Sequence, residues 1–325
     1  MKNAYSTPYW MKFKVSFIFV FIFAFNASGQ DTLNWINQNA YELKSDSTST
    51  NNDLSFLLKE LSGKTVVGLG EASHGTREFY IQKTRIIEYL INKCDFKLLS
   101  FEFQQSLMAP INRYVQTGEG NLKVLMKEMA LYTTEEIYNL FQLIRQYNKD
   151  KHSDDKVVIT GLDHKDYWPD PYTRDKYMTE NLIKSHEIKK SKAIVWTHNV
   201  HLMKDTTSNS MAMGSYLNQH FKNAFYAIGF DTFKGTVNVL NDGQFEEHAF
   251  QAKESTFSTL LAQAKYSSFF LPFPKESPFT GKTSLITNIY SNWQDLKPLP
   301  IKPGIDFDGI VFIRDTSASI KLSQE

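Results

Sequence analysis

Cysteine is almost missing from this chain: its 325 residues contain one, Cys94. A lone thiol excludes an intramolecular disulfide and any multi-cysteine zinc or iron–sulfur site. Neither sign of charge is in excess either, since 36 Lys+Arg face 35 Asp+Glu for a formal net charge of +1. A protein that coats phosphates shows a basic surplus, so a nucleic-acid partner is not expected. There is no Pro/Ser/Gly linker that would split the chain and no repeat of fixed period. What is present, 42% hydrophobic and 22% charged residues, is the composition of a folded globular protein rather than a disordered one.

A long apolar run is lacking too. Val15–Phe25 is continuous and hydrophobic apart from Ser16, but it falls short of the roughly 20 residues needed to span a bilayer. It follows Lys12 and Lys14 and precedes the small residues Ala27-Ser28-Gly29, which is the layout of a secretory signal. The expectation is a signal peptide over 1–29, with Met11 as an alternative start, followed by a single domain over 30–325. Cleavage after Gly29 would remove Lys2, Lys12 and Lys14 and leave a slightly acidic chain. No cysteine follows the run, so lipid attachment there is excluded. The expected location is periplasmic or secreted, without stable membrane insertion after cleavage; an uncleaved anchor would still leave the rest of the chain outside the cytoplasm.

Beyond a Ser/Thr/Asn-rich loop at Ser45–Asn52, apolar runs alternate with helical patterns. Strands are predicted at Thr65–Gly70, Lys97–Phe103, Lys156–Leu162, Lys192–Thr197, Ala224–Phe230, Ser267–Leu271 and Gly309–Ile313. Helices are predicted at Thr76–Lys93, Ser106–Gln116, Thr134–Asn148, Thr173–Ser185, Ser215–Phe221 and Ser255–Ala264. This alternation points to βαβ units and an α/β fold: a three-layer α/β/α domain with a mainly parallel sheet and a small helical annex near 105–150. In the helix Thr76–Lys93, Phe79, Tyr80, Ile86, Ile87, Leu90 and Ile91 form one apolar stripe. Lys83 falls inside that stripe, whereas Arg85 points to the far side. A cation in an apolar stripe needs an anionic partner or a wet cleft, unless its stem snorkels to the surface.

The polar residues gather at strand ends. The run Thr65–Gly70 leads into Glu71-Ala72-Ser73-His74-Gly75, and Lys97–Phe101 into Glu102. Likewise Lys156–Leu162 leads into Asp163-His164, and Lys192–Thr197 into His198-Asn199-Val200-His201. In open parallel sheets, ligands bind outside the carboxyl ends of the strands. Several chemistries are disfavoured by what stands there. Gly68-Leu69-Gly70 has Ser73 where a dinucleotide fingerprint needs its third glycine, and the glycine that a P-loop needs before Gly281-Lys282-Thr283 is replaced by Glu276. The residues around Ser73 do not form a Gly-x-Ser-x-Gly elbow.

His74, His198, His201, Glu71 and Glu102 remain. They fit a metal-free site in which one histidine is a general base on water, or a metal site using His198, His201 and a glutamate. His198 and Asn199 closing a strand end by hydrogen bonds is the structural alternative. His74 has a physical argument in its favour: it precedes a helix whose positive N-terminal end disfavours imidazolium and so keeps a neutral base. Glu71, three residues earlier, is placed to fix its tautomer.

The segments Gly68–Phe79, Lys83-x-Arg85, Leu99–Glu102, Val195–His201, Met213–Leu217, Ile228–Phe230 and Phe307–Phe312 together resemble the erythromycin esterase family, in the family's order and over roughly residues 60–315. The resemblance implies an α/β/α core and hydrolysis of a macrolide lactone, or more broadly a lactone or carboxylic ester, by activated water, with no covalent serine intermediate and no cofactor. It implies His74 as base, with Glu71, Glu102 and His198 as further catalytic residues. His201, Lys83, Arg85 and Asp163 are the candidate substrate-binding residues, and His201 matches the second histidine of the family's strand-end motif. For lactone opening, a protonated imidazole or Lys83 would stabilise the oxyanion. The expected partner is a small-molecule ester or lactone; a haem or small-molecule binder of the same fold class is the non-enzymatic alternative. One departure stands out. Between Leu162 and Lys192 there is a single helical segment, where macrolide-opening relatives tend to carry a longer insertion walling the cleft.

Overall fold

The computed structural model describes residues 30–44, 51–207 and 211–323. The expected leader, 1–29, and most of the Ser45–Asn52 loop lie outside the described residues. The strands are β1 (Tyr41–Glu42), β2 (Val66–Leu69), β3 (Phe96–Gln104), β4 (Val158–Asp163), β5 (Lys192–Trp196), β6 (Phe225–Asn241), β7 (Gln244–Gln251), β8 (Ser268–Pro272), β9 (Ser284–Ile286), β10 (Leu299–Ile301) and β11 (Gly309–Thr316). The longer helices are α1 (30–39), α2 (Arg77–Cys94), α3 (Gln105–Thr117), α4 (Glu135–Asn148), α5 (Pro171–Lys189) and α6 (Met213–Phe221). Among the described residues no helix is long and apolar enough to cross a membrane.

The main sheet runs β1-β8-β11-β6-β2-β5-β3-β4, with β7 paired to β6 outside that path. The six strands from β11 to β4 are mutually parallel, while β8, β1 and β7 join antiparallel. The fold is thus the expected α/β class with a mainly parallel sheet. The expected strand Ala224–Phe230 runs on to Asn241 and turns into β7. The reversal falls at Asp242-Gly243, both with positive φ, a pairing suited to a tight hairpin.

Alternation along the strands sorts the core into two layers. Val67, Leu69, Leu99, Phe101 and Trp196 face α2, α3 and α4; Val66, Leu98, Val195 and Ala227 face α5 and α6. That period of two, buried on both faces, is what helices on either side of a parallel sheet require. The annex expected near 105–150 is α3, the short helix Leu122–Leu125, the turn Ala130–Tyr132 and α4. It packs in the same cluster as α2.

Two charged groups outside the site are built into this core. Arg85, expected on the substrate-binding list, is buried and pairs with Asp53 at 2.7 Å while donating to the Lys44 carbonyl and the Asn51 side chain. It ties Lys44, Asn51 and Asp53 to α2, so its guanidinium is committed to the fold, which is the physical reason for correcting its expected substrate-binding role. Removing it takes the counter-charge from half-buried Asp53 and a donor from the Lys44 carbonyl, so Arg85→Ala should cost about 2 kcal/mol of stability. Denaturant melts should show that loss while KM of the folded fraction stays put.

The second group is Asp231. Burial pushes its carboxyl up to about 7, against hydrogen bonds from Ser258 Oγ and the Thr287 and Thr232 amides. Its Oδ2 is buried without a hydrogen-bond partner among the described residues. A carboxyl whose folded value lies above its unfolded value of about 4 stabilises the protein in acid and loses that contribution as pH rises through about 7. Thermal melts between pH 5 and pH 8 should therefore fall by an amount of the order of a few kcal/mol, and Asp231→Asn should flatten the slope.

Candidate active site

The strands that end in titratable residues, β2, β5, β3 and β4, are four consecutive neighbours in the sheet. Parallel pairing puts their carboxyl ends on one rim: Leu69 is level with Trp196, Trp196 with Phe101, and Gln104 with Asp163. Side chains from chain positions 71 to 201 therefore meet in one place.

The first group centres on Glu71, which is fully buried. Its Oε1 lies 2.6 Å from His74 Nδ1 and its Oε2 2.6 Å from Lys83 Nζ. Tyr132 donates to Oε1 from 3.2 Å and lies 3.2 Å from His74 Nδ1. Burial would push the Glu71 carboxyl up, but Lys83 and His74 outweigh it and hold it ionised. Lys83 is fully buried in the apolar stripe, 4.3 Å from the Trp196 ring centroid. Burial pulls its ammonium down to about 8, and Glu71 opposes that pull. An anionic partner, not snorkelling, is what keeps this cation inside.

The local sequence explains how Glu71 and His74 come to face each other. A Cβ on Gly70 would strike the Asn199 amide, which links β5 to β6 through the Phe230 carbonyl and amide. At Gly75 it would strike the backbone of Asn238. Both glycines let the strand-to-helix turn press against neighbouring chain, so Glu71 turns inward and His74 sits above it. With Nδ1–H donated to Glu71, Nε2 has no hydrogen-bond partner among the described residues, and the ring lines a cavity of about 460 Å³.

The second group forms around Glu102. Its Oε2 accepts from Thr197 Oγ1 at 2.7 Å and the His198 amide at 2.9 Å. Its Oε1 accepts from Arg174 and from His201 Nε2, each at 3.1 Å. Burial raises the Glu102 carboxyl, but His201 and Arg174 outweigh this and hold it well below the usual range. Asp163 Oδ2 accepts from Arg174 Nε and Nη2 and from Trp168 Nε1. His201 donates through Nδ1 to Asp175 at 2.7 Å. Burial would pull His201 down, but Glu102 and Asp175 raise it to about 10, so it is an imidazolium at neutral pH. Arg174 Nη1, 3.3 Å from His201 Nε2, is then a like-charged neighbour, made tolerable by Glu102, Asp163 and Asp175.

His198 is placed differently from its expected catalytic part. Its Nδ1 accepts from the Val200 amide and its Nε2 donates to the Ile289 carbonyl, so both ring nitrogens serve backbone. Burial pushes it down to about 3, which makes it a neutral ring 5.0 Å from His74 between centroids. The metal alternative needs lone pairs that His198 and His201 have committed elsewhere, and among the described residues no group of three or more His, Cys, Asp or Glu is arranged to hold a metal.

The cavity wall contains His74, Glu102, Tyr132, Asp163 and Arg174. Of the four expected substrate-binding residues, Asp163 is on that wall. Lys83 and His201 stand behind it as counter-charges to Glu71 and Glu102, and Arg85 is remote. Sequence reasoning missed Tyr132, Arg174 and Asp175. Asp175 had a signal: with Met178 and Leu182 it lies on one face of its helix, an acid on an apolar stripe as Lys83 is a cation on one. Its Oδ2 also accepts from the first amide of α6, Met213 N, at 2.8 Å. Tyr132 comes from the annex, where no pattern marks it.

Comparison with known proteins agrees with this architecture. The family model described as erythromycin esterase matches residues 91–171 and 166–316. A putative hydrolase, YbfO, of Bacillus subtilis is 33% identical over 131 residues, 40% of this chain and 28% of that protein. Erythromycin esterase type II of Escherichia coli is 28% identical over 131 residues, 40% of this chain and 30% of that one. The matched stretch thus spans less than a third of either relative. Among solved structures, a succinoglycan biosynthesis protein superposes with a TM-score of 0.81 at 20% identity, covering 90% of this chain and 98% of that one. A mutant of the erythromycin esterase EreC in its open conformation gives 0.64 at 15% identity, covering 84% and 95%. At such identities the superpositions speak to the fold.

Proposed function

The chain belongs to the erythromycin esterase family, and from that premise we propose that it hydrolyses a small carboxylic ester or lactone with water activated by His74. The observation that carries this reading is the pairing of half-buried His74 with fully buried Glu71, which leaves Nε2 to the cavity that the ring lines. In the reaction, His74 Nε2 takes a proton from water as the water oxygen bonds to the acyl carbon and the carbonyl electron pair moves onto oxygen. Glu71 holds Nδ1–H and stabilises the imidazolium that forms. Collapse then breaks the acyl–oxygen bond, and the leaving alkoxide takes the proton back from Nε2.

Developing oxyanion charge needs a fixed cation or donor. Arg174 supplies that cation, since it is on the cavity wall and anchored by Asp163 and Glu102. Lys83 keeps to Glu71 and plays no part at the oxyanion. The test is a chelator-controlled screen of lactones and acyl esters with purified protein. Product acid should form in the presence of chelator, without a pre-steady-state burst and without an acyl adduct on the protein by mass spectrometry. Chelator-sensitive turnover or a trapped acyl-enzyme would overturn the reading. The same proposal extends to location: the apolar run at Val15–Phe25 supports export, and amino-terminal sequencing of protein from the native host should find the chain cut near Gly29.

A further inference from the structure

The cavity carries one feature that activation of water does not use. Trp168 lies on its wall with the side chain 52% exposed. An indole left half in water costs solvation unless something covers it. Its pose is nevertheless fixed: Nε1 donates to Asp163 Oδ2 at 2.9 Å, and Asp163 is itself held by Arg174. Other aromatic rings nearby pair with each other, as Tyr167 stacks on Tyr177 at 4.9 Å, yet among the described residues no ring stacks on Trp168. A flat apolar face is thus presented at a set angle beside a hydrolytic centre.

Two further properties of the wall narrow what that face receives. Gln104 and Glu128 stand on the same cavity and offer amide and carboxylate groups to hydroxyls. The wall's acids, Glu102, Glu128 and Asp163, also outnumber its cation, Arg174, which disfavours a phosphorylated, sulfated or otherwise anionic ligand. A pyranose ring matches both properties. Its C–H faces are apolar and weakly positive, suited to the negative face of an indole, and its hydroxyls project from the rim. The cavity, about 460 Å³, falls within the range of about 300–1,000 Å³ found for small-molecule sites.

We propose that this cavity includes a subsite for a neutral saccharide ring, with Trp168 as its stacking platform, so that the substrate is an acyl ester carried on a sugar. The proposal rests on the hydrolase reading given above. The test compares 6-O-acetylglucose with ethyl acetate, which share an acyl group and differ in the alcohol. The native protein should favour the sugar ester in kcat/KM by at least about tenfold, a difference of about 1.4 kcal/mol. Trp168→Ala should lower that preference about tenfold, mostly through KM, and Trp168→Phe should keep most of it. Because the readout is a ratio within one preparation, partial misfolding does not affect it. Calorimetric titration of 6-O-acetylglucose into His74→Ala protein measures the subsite without turnover. Hydrolysis of both esters with no preference, or a preference unmoved by Trp168→Ala, would overturn the saccharide subsite and leave the hydrolase standing. Binding that depends on Trp168 with no hydrolysis of either ester would defeat the hydrolase reading and keep the subsite.

Discussion

Changing His74 to alanine is expected to lower kcat about a thousandfold, in the middle of the range for loss of a positioned general base. The expectation comes from the geometry of one ring. Nδ1 is 2.6 Å from a carboxylate held ionised, so its proton stays there and the lone pair on Nε2 faces the cavity. Because that base acts in the transition state rather than in ground-state binding, kcat and kcat/KM should fall together while KM changes little. Glu71→Gln should follow in the same direction by a different route. The amide can present its NH2 to Nδ1 and favour the wrong tautomer; because Lys83 also loses its counter-charge, stability falls too and kcat is read on the folded fraction. If His74→Ala kept native turnover, water activation would have to be assigned to another group.

The second large effect concerns stability. Lys83→Met should destabilise the protein by about 3–5 kcal/mol, the cost of leaving a buried charge without its partner. Both members of the Lys83–Glu71 pair are fully buried, so water cannot take over from the lost ammonium. The variant's folded population should also be a poor catalyst, because an uncompensated Glu71 is driven towards protonation and then no longer stabilises the imidazolium. Adding Glu71→Gln to Lys83→Met should restore much of the stability and none of the activity. A double-mutant cycle with urea melts and initial rates separates these outcomes. Additive losses of stability in the double variant would mean that the two groups are not coupled, contrary to their 2.6 Å separation.

The site was legible in the sequence as far as strand ends could carry it. Glu71, Glu102, Asp163 and His198–His201 each follow an apolar run, and the parallel sheet gathers those ends on one rim. Lys83 could be recognised as needing a partner from its place on the stripe of α2, because a desolvated cation is costly wherever it sits. Arg85, two positions on, was placed on the far side of that helix. That Arg85 is also buried there, bound to Lys44, Asn51 and Asp53, cannot be read from the helix alone. What each group does was less legible. The identical residue type at 74, 198 and 201 becomes an outward-facing ring, a neutral backbone-bound ring and an imidazolium between two carboxylates. Those differences are made by partners distant in the chain: Glu102, Asp175 and the Ile289 carbonyl. The annex illustrates the same limit, since its helices α3 and α4 lie where expected but the turn between them brings Tyr132 to the site with no recognisable motif. The continuation of β6 past Phe230 into the β7 hairpin was also missed, because its polar, alternating residues do not resemble the buried strands of the parallel core.

The central claim is a tautomer: Glu71 holds the proton of the base His74 on Nδ1 and leaves Nε2 to face the cavity. Nitrogen-15 NMR of histidine-labelled protein near neutral pH reads this directly, with the His74 signals assigned by their loss in His74→Asn. A protonated Nδ1 and an imine-type Nε2, with Nδ1 losing its characteristic downfield proton in Glu71→Gln, is the predicted result. An imine-type Nδ1 with the proton on Nε2 in the native protein would contradict the account, since no base would then face the cavity.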